Sequence, residues 1–274
     1  MQGDILLYVR DDGKREREVA RVVQTITRAA RRLDRRIVVY PETCRNIGIV
    51  VAVGGDGTFL DASHLALEWD IPIMGVNVGG LGFLTEITQN DLAQIEELLA
   101  QPPSIQTRIV LTVSVVQKRK KRRIFKGYAV NEVTIMRRID APMLNLHIQY
   151  AGMSLPHYKA DGILVATPTG STAYNLSING PILFPTEHSM VLNALAPHAL
   201  TNRPLVLPSA YPIEVRLKEG GRATISIDGR RPIAFETDDY LEIKQADHFL
   251  KFVTNPRRTY FDVLAQKLHF GRRD

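Results

Sequence analysis

The chain has 274 residues, 45% hydrophobic and 23% charged, with a net charge of +6 and a single cysteine. That length supports one large or two modest domains with real cores, and the apolar content excludes a disordered chain. Cys44 alone permits no internal disulfide, thiolate zinc cluster or redox pair, so a reducing, cytoplasmic setting is expected.

The longest apolar stretch, residues 47–55, falls well short of the roughly 20 residues a membrane helix needs, so no membrane partner is expected. Residues 5–9 are too short for the apolar core of an export signal; they predict a buried strand instead. Val19, Val22, Val23, Ile26, Ala30 and Leu33 then recur at helical spacing, with Arg21, Arg28, Arg31 and Arg32 largely on other faces, which predicts an amphipathic helix. Strands follow over 37–40 and 47–53, a helix over 59–68, and a strand over 71–76 that runs into Asn77-Val78-Gly79-Gly80-Leu81-Gly82-Phe83. Thr88 and Asp91 have the spacing of a capping box for a helix that ends near Ala100. This alternation is that of a parallel α/β layer, a Rossmann-like N-terminal domain over 1–102.

Pro102-Pro103 marks a change of pattern. Short β-rich stretches follow at 109–116, 124–135, 144–150, 163–166, 213–217, 223–227 and 240–243. One helical insertion is expected at 170–177 and a second helix at 190–196. The reading is a β-rich, sandwich-like domain over 103–254. Within it, Lys118-Arg119-Lys120-Lys121-Arg122-Arg123 carries as much positive charge as the whole chain has in excess, so the remainder is neutral. With β-rich flanks and no interleaved aromatic residue, the run reads as a solvated hairpin tip, and no nucleic-acid partner is expected.

Gly54-Gly55-Asp56-Gly57-Thr58 follows an apolar strand and precedes a helix, the place where an α/β sheet puts its ligand crevice. Glycines let backbone N–H groups approach phosphate oxygens at a helix start, which makes Gly54, Gly55, Gly57 and Thr58 candidate phosphate binders; Thr58 can also cap the helix. Asp56 would repel a phosphate, and fits a proton acceptor for a hydroxyl or a partner of magnesium. A tight turn with an acidic cap is the plain structural alternative. Neither a P-loop nor a Gly-x-Gly-x-x-Gly turn after the first strand is present.

Asn131-Glu132 interrupts an apolar run, where two adjacent polar groups must be paired or functional. In the block from Lys159-Ala160-Asp161-Gly162 to Thr167-Pro168-Thr169-Gly170-Ser171-Thr172-Ala173-Tyr174-Asn175-Leu176-Ser177, a buried strand ends at Thr-Pro and a helix opens with donors and hydroxyls facing outward. That arrangement suits a capped helix or a bound ligand.

In this order and spacing, the three motifs resemble those of the NAD kinases, the ATP:NAD 2′-phosphotransferases, over nearly the whole chain. The resemblance implies that Asp56 accepts the proton of the adenosine ribose 2′-hydroxyl, that Asn131 contacts the adenine, and that Glu132, Lys159 and Asp161 line the dinucleotide site. It places Gly57, Phe83, Thr169, Thr172, Ala173, Tyr174, Asn175, Leu176 and Ser177 at the dinucleotide, with Ala196 on the nicotinamide side. It also implies ATP, or polyphosphate, as donor, magnesium held mainly through nucleotide phosphates with no protein ligand assigned, and a tail over 255–274 that returns to the N-terminal domain. A homodimer or homotetramer is expected, with Asp161 reaching a dinucleotide bound mainly by another subunit. Ile178-Asn179-Gly180-Pro181 departs from the Ala-Gly-Gly-Pro of the family, although Asn tolerates positive φ. A related lipid or sugar kinase with Gly-Gly-Asp-Gly, or a non-catalytic dinucleotide sensor, remains the alternative.

If 118–123 is only a solvated tip, replacing it with a neutral turn leaves turnover and melting temperature almost unaltered. A salt-dependent rise in Michaelis constant would instead show that the run recruits an anionic substrate.

Overall fold

Three largely buried apolar runs and one short, partly exposed edge run build the first sheet. The computed structural model describes residues 3–10, 15–100, 104–117, 122–155, 158–218 and 221–269. They begin with β1 (Asp4–Val9), α1 (Glu16–Arg32), β2 (Ile37–Val39), β3 (Ile47–Val53), α2 (Asp56–Glu68) and β4 (Ile73–Val76). A 3-10 turn (Gln89–Gln94) leads into α3 (Ile95–Ala100) and β5 (Ile105–Gln117). The strands lie parallel in the order β4-β3-β1-β2. Val22, Ile26, Ala29 and Ala30 of α1 and Ile95, Leu98 and Leu99 of α3 pack with alternate strand residues such as Ile5, Leu7, Ile49 and Val51. Helix α2 covers the opposite face, where Phe59 meets Phe252 with ring centroids 5.3 Å apart. Glu16 and Glu18 in the first turn of α1, and Arg31 and Arg32 in its last, complement the helix dipole. The capping box forms as its spacing predicts: Asp91 Oδ2 accepts from Thr88 N at 2.9 Å and from Thr88 Oγ1 at 2.7 Å.

The chain continues through β6 (Arg122–Ala129), β7 (Glu132–Arg137), β8 (Leu144–Tyr150), β9 (Met153–Ser154) and β10 (Tyr158–Ala166). After a 3-10 turn (Thr169–Thr172) come α4 (Tyr174–Ser177), β11 (Ser189–Pro197), β12 (Leu205–Pro208) and β13 (Ile213–Leu217). β14 (Arg222–Ile227), β15 (Arg230–Glu236), β16 (Asp239–Val253) and α5 (Tyr260–Leu268) complete the order. Two compact units result, Met1–Thr107 with Leu250–Asp274, and Arg108–Phe249. The chain is α/β in its N-terminal part and β-rich after it. The 102/103 boundary expected at the proline pair lies outside the described residues, and the units divide within β5 and β16.

In the second unit β15-β14-β7-β10-β8-β13-β16 form an antiparallel sheet, with β11 and β12 added beside β10. Its core gathers alternate residues of these strands, including Leu146, Ile148, Ile163, Val165, Ile225 and Phe235. In the first unit the returning chain pairs Phe252 with Ile73, and Asn255 N donates to the Glu86 carboxylate at 3.2 Å. Arg258 Nη1 donates to the Glu86 carbonyl, and Val263 and Leu264 of α5 are buried. Residues 270–274 of the expected tail lie outside the described set.

Three expected elements differ. Residues 190–196 form the strand β11 and not a helix, because pairing on both sides by β10 and β12 overrides the weak β preference of Met, Leu, Asn and Ala. The helix expected at 170–177 is broken at Ala173, with φ −97° and ψ −128°, into a 3-10 turn and the short α4. The stretch 124–135 is two strands with a bend at Val130 and Asn131. Residues 118–121 of the basic run lie outside the described set, but its flanks pair antiparallel, Val116 with Arg123, as hairpin arms do. Among the described residues, no helix is long and apolar enough to cross a membrane.

Candidate active site

In the first unit the glycine turn sits between β3 and α2. Gly54 has φ +154°, and a Cβ there would collide with the Thr58 hydroxyl, so only glycine fits. Helix α2 starts at Asp56 with Gly55 as N-cap and no side-chain cap. The expected capping role of Thr58 is therefore corrected: the helix begins three residues earlier than expected, which puts Thr58 inside its first turn, where it is buried.

Asp56 is tied to the loop after β4. Its Oδ2 accepts from Phe83 N at 3.0 Å; its Oδ1 accepts from Leu84 N at 3.1 Å and from Thr85 Oγ1 at 2.9 Å. Thr85 Oγ1 in turn accepts from Asn77 Nδ2 at 2.6 Å, and Asn77 Oδ1 accepts from Gly79 N at 2.7 Å. Gly82 must lack a side chain, because a Cβ there would strike the Asp56 carboxylate and Thr85. A carboxylate offers about four acceptor positions. Three are filled, leaving one direction on Oδ2 among the described residues. Gly54, Gly55, Asp56, Gly57, Thr58 and Phe83 thus form one cluster.

The second unit holds another. At the β6–β7 bend, Thr167 Oγ1 donates to the Val130 carbonyl at 2.6 Å, and Thr167 N donates to the Asn131 carbonyl at 2.8 Å. Gly170 lies so close to the Asn131 backbone that a Cβ would overlap its carbonyl. Asn131, Glu132 and the 169–174 turn are thereby locked together. Three buried polar atoms, Asn131 Oδ1, Glu132 Oε2 and Thr169 Oγ1, have no hydrogen-bond partner among the described residues. Such atoms are costly unless a ligand meets them. Burial and the neighbouring Asp228 carboxylate push the Glu132 carboxyl up to about 8, against the pull of the Tyr174 backbone. Asp228, which the sequence reading missed, sits in an Asp-Gly turn between alternating apolar residues, a hairpin signal that could have located it.

Other predicted residues divide. The Tyr174 ring packs on Leu164, Ala166, Val191 and Leu195, with Thr172, Ala173 and Leu176 half-buried beside it and Ser177 exposed. Asn175 is 0% exposed and its amide is engaged internally: Nδ2 donates to the Ser171 and Pro181 carbonyls, and Oδ1 accepts from Asn193. It shapes the turn. Lys159, Asp161 and Ala196 gather elsewhere, at the joined ends of β10 and β11, where Ala160 pairs with Pro197. Asp161 Oδ1 accepts from Arg137 Nε at 2.6 Å. Glu132 pairs with Ala166 on the same strand β10. Asp161 is five residues before Ala166, so at roughly 3.3 Å per residue the two clusters stand roughly 17 Å apart along the ladder.

A parallel α/β sheet with an anchored carboxylate at a glycine-lined helix start is built as a phosphotransferase. The model of the ATP-NAD kinase N-terminal domain matches residues 7–102, and that of the ATP-NAD kinase C-terminal domain matches residues 130–255. The NAD kinase of Sulfurimonas denitrificans is 37% identical over 233 residues, 85% of this chain and 81% of that protein. The NAD kinase of Geobacter sulfurreducens is 37% identical over 247 residues, 89% and 86% respectively. Among solved structures, yeast NADH kinase complexed with NADH matches with a TM-score of 0.86 at 19% identity, covering 99% of this chain and 89% of that one. An NAD kinase from Archaeoglobus fulgidus in complex with ATP matches with a TM-score of 0.75 at 24% identity, covering 95% and 98%. The chain belongs to the NAD kinase family.

The raised Glu132 carboxyl has a stability consequence. The folded state keeps a proton that the unfolded chain releases near its ordinary value of 4.5, so stability is lost as pH rises from there to about 8. In ligand-free protein, the melting-temperature advantage of Glu132→Gln over the unsubstituted chain should grow across that window and level off above it. A constant difference would show that Glu132 does not titrate in this way.

Proposed function

We propose that this NAD kinase transfers the γ-phosphoryl group of ATP to the 2′-hydroxyl of the adenosine ribose of NAD, with Asp56 as proton acceptor. The observation that carries this reading is the Asp56 carboxylate, fixed by three donors with one acceptor direction left on Oδ2. That direction takes the hydroxyl proton as the new O–P bond forms and the bond to the β–γ bridging oxygen breaks, releasing ADP. The start of α2 at Gly55 and Gly57 favours the donor phosphates. Asn131, Glu132 and Thr169 supply partners for the dinucleotide, and Tyr174 supplies an aromatic wall. Among the described residues, no three His, Cys, Asp or Glu side chains gather as metal ligands. Magnesium is assigned to the nucleotide substrate, carried on its phosphates. A sensor would have no use for a carboxylate positioned in this way.

Asp56→Asn should lower kcat about 10²-fold or more with NAD affinity nearly unchanged. Near-normal turnover would remove Asp56 from the mechanism.

We further propose a homo-oligomer with a shared site, because Asp161 and Lys159 are too far along the β7–β10 ladder to serve the same group as Glu132. Asp161 then reaches the dinucleotide held mainly by another subunit. If inactive Asp56→Asn and Asp161→Asn chains are unfolded together and refolded at equal ratio, about half of the dimers are mixed, each with one intact site. About one quarter of full activity should return. Zero activity after verified mixing rules out the shared site and leaves the kinase reading standing.

A further inference from the structure

The bend that presents Asn131 and Glu132 is held from the opposite hairpin. Three successive backbone N–H groups converge on Asp228: Oδ2 accepts from Val130 at 2.9 Å, and Oδ1 accepts from Asn131 at 2.8 Å and Glu132 at 3.0 Å. Asp228 N donates back to the Glu132 carbonyl at 2.9 Å. Successive N–H groups point the same way only where the chain leaves the extended conformation. All three residues are buried, so without an acceptor these donors would be orphaned. Asp228 adopts φ +49°, a conformation Asp tolerates, and Gly229 at φ +70° completes the two-residue turn between β14 and β15. The side chains this clamp orients end in the unpartnered atoms Asn131 Oδ1 and Glu132 Oε2. A buried acceptor kept unpaired by a fixed backbone is a place made for a ligand donor.

We infer that Asp228 is a positioning residue for the dinucleotide: it touches no substrate, and it fixes the 130–132 backbone so that Asn131 and Glu132 meet the dinucleotide. This rests on the reading of Asn131 and Glu132 as dinucleotide contacts. Its effect belongs to NAD affinity and not to the transfer step, and it acts through those two side chains.

The test is a double-mutant cycle read by calorimetric titration of NAD, with steady-state kinetics beside it. Asp228→Asn keeps size and turn preference but sets an amide N–H where one backbone donor needs an oxygen. It should weaken NAD binding about 10- to 100-fold, with kcat at saturating NAD and the KM for ATP within about threefold. In the Asn131→Ala Glu132→Ala background, the same substitution should add less than about threefold, because the groups it positions are gone. A full additive effect in that background, a loss confined to kcat, or unchanged NAD affinity beside a weakened Asn131→Ala Glu132→Ala protein overturns the inference alone. Intact NAD affinity in the Asn131→Ala Glu132→Ala protein overturns it through the reading beneath it. Should Asp228→Asn not fold, Asp228→Glu, which keeps the charge but displaces it by one methylene, is read against the same limits. Failure of both to fold marks Asp228 as a folding residue and overturns the inference.

Discussion

Backbone N–H groups at chain reversals need acceptors once they leave water, and in this protein aspartate carboxylates repeatedly supply them. Asp56 gathers Phe83 and Leu84, while Asp228 gathers Val130, Asn131 and Glu132. Asp91 and Asp262 do the same for Thr88 and Thr259 at two helix starts. An ionised acceptor makes stronger bonds than a carbonyl would, and a short side chain transmits its backbone position with little slack. These loops are therefore tied to regular strands and helices. Asp56 pins the 83–85 loop and keeps one acceptor direction on Oδ2 among the described residues, so the loop and the carboxylate proposed as proton acceptor are placed by one set of bonds.

The second unit uses burial differently. A dinucleotide brings its own negative charge, and on the proposed placement of Glu132 at the dinucleotide, an ionised Glu132 beside Asp228 would add repulsion there. With its carboxyl raised to about 8, Glu132 is mostly protonated at neutral pH. It can then donate as well as accept, next to the acceptor Asn131 Oδ1. The same dry environment that leaves these atoms unpartnered makes any hydrogen bond they gain stronger than it would be in water. On the proposed reading of Asn131 and Glu132 as dinucleotide contacts, the stability given up at this bend serves recognition.

Local pattern carried several elements of both units well. Ile47–Val53, Leu144–Tyr150 and Ile213–Leu217 form strands over the residues that their apolar content or alternation predicts, and Thr88 caps with Asp91. What the pattern missed depends on partners distant in sequence. β11 is a strand because β10 and β12 flank it. The break at Ala173 arises where the turn docks on Val130 and Asn131, some forty residues earlier. The motifs identified Asn131, Glu132 and Asp161 but not the separation between them, which is set by the pairing of Glu132 with Ala166. The Asp228-Gly229 turn was visible as a hairpin signal, yet its carboxylate could be assigned to the 130–132 bend only from the pairing of β14 with β7.

The departure at Ile178-Asn179-Gly180-Pro181 shows how separate demands on one turn can be met by different residues. Asn179 has φ +58°, a left-handed conformation that Asn adopts at modest cost. Nothing requires its position to lack a side chain, and it is exposed. Gly180 has no such freedom: it donates its N–H to the Asn175 carbonyl at 2.9 Å, and a Cβ there would overlap the Asn175 side-chain amide. That amide bonds the Ser171 and Pro181 carbonyls and receives Asn193, so it closes the loop behind Tyr174. Replacing the first glycine of the family pattern by Asn satisfies the φ requirement, and keeping the second satisfies the space requirement. The loop therefore retains the geometry that holds the Tyr174 segment against the Asn131 bend.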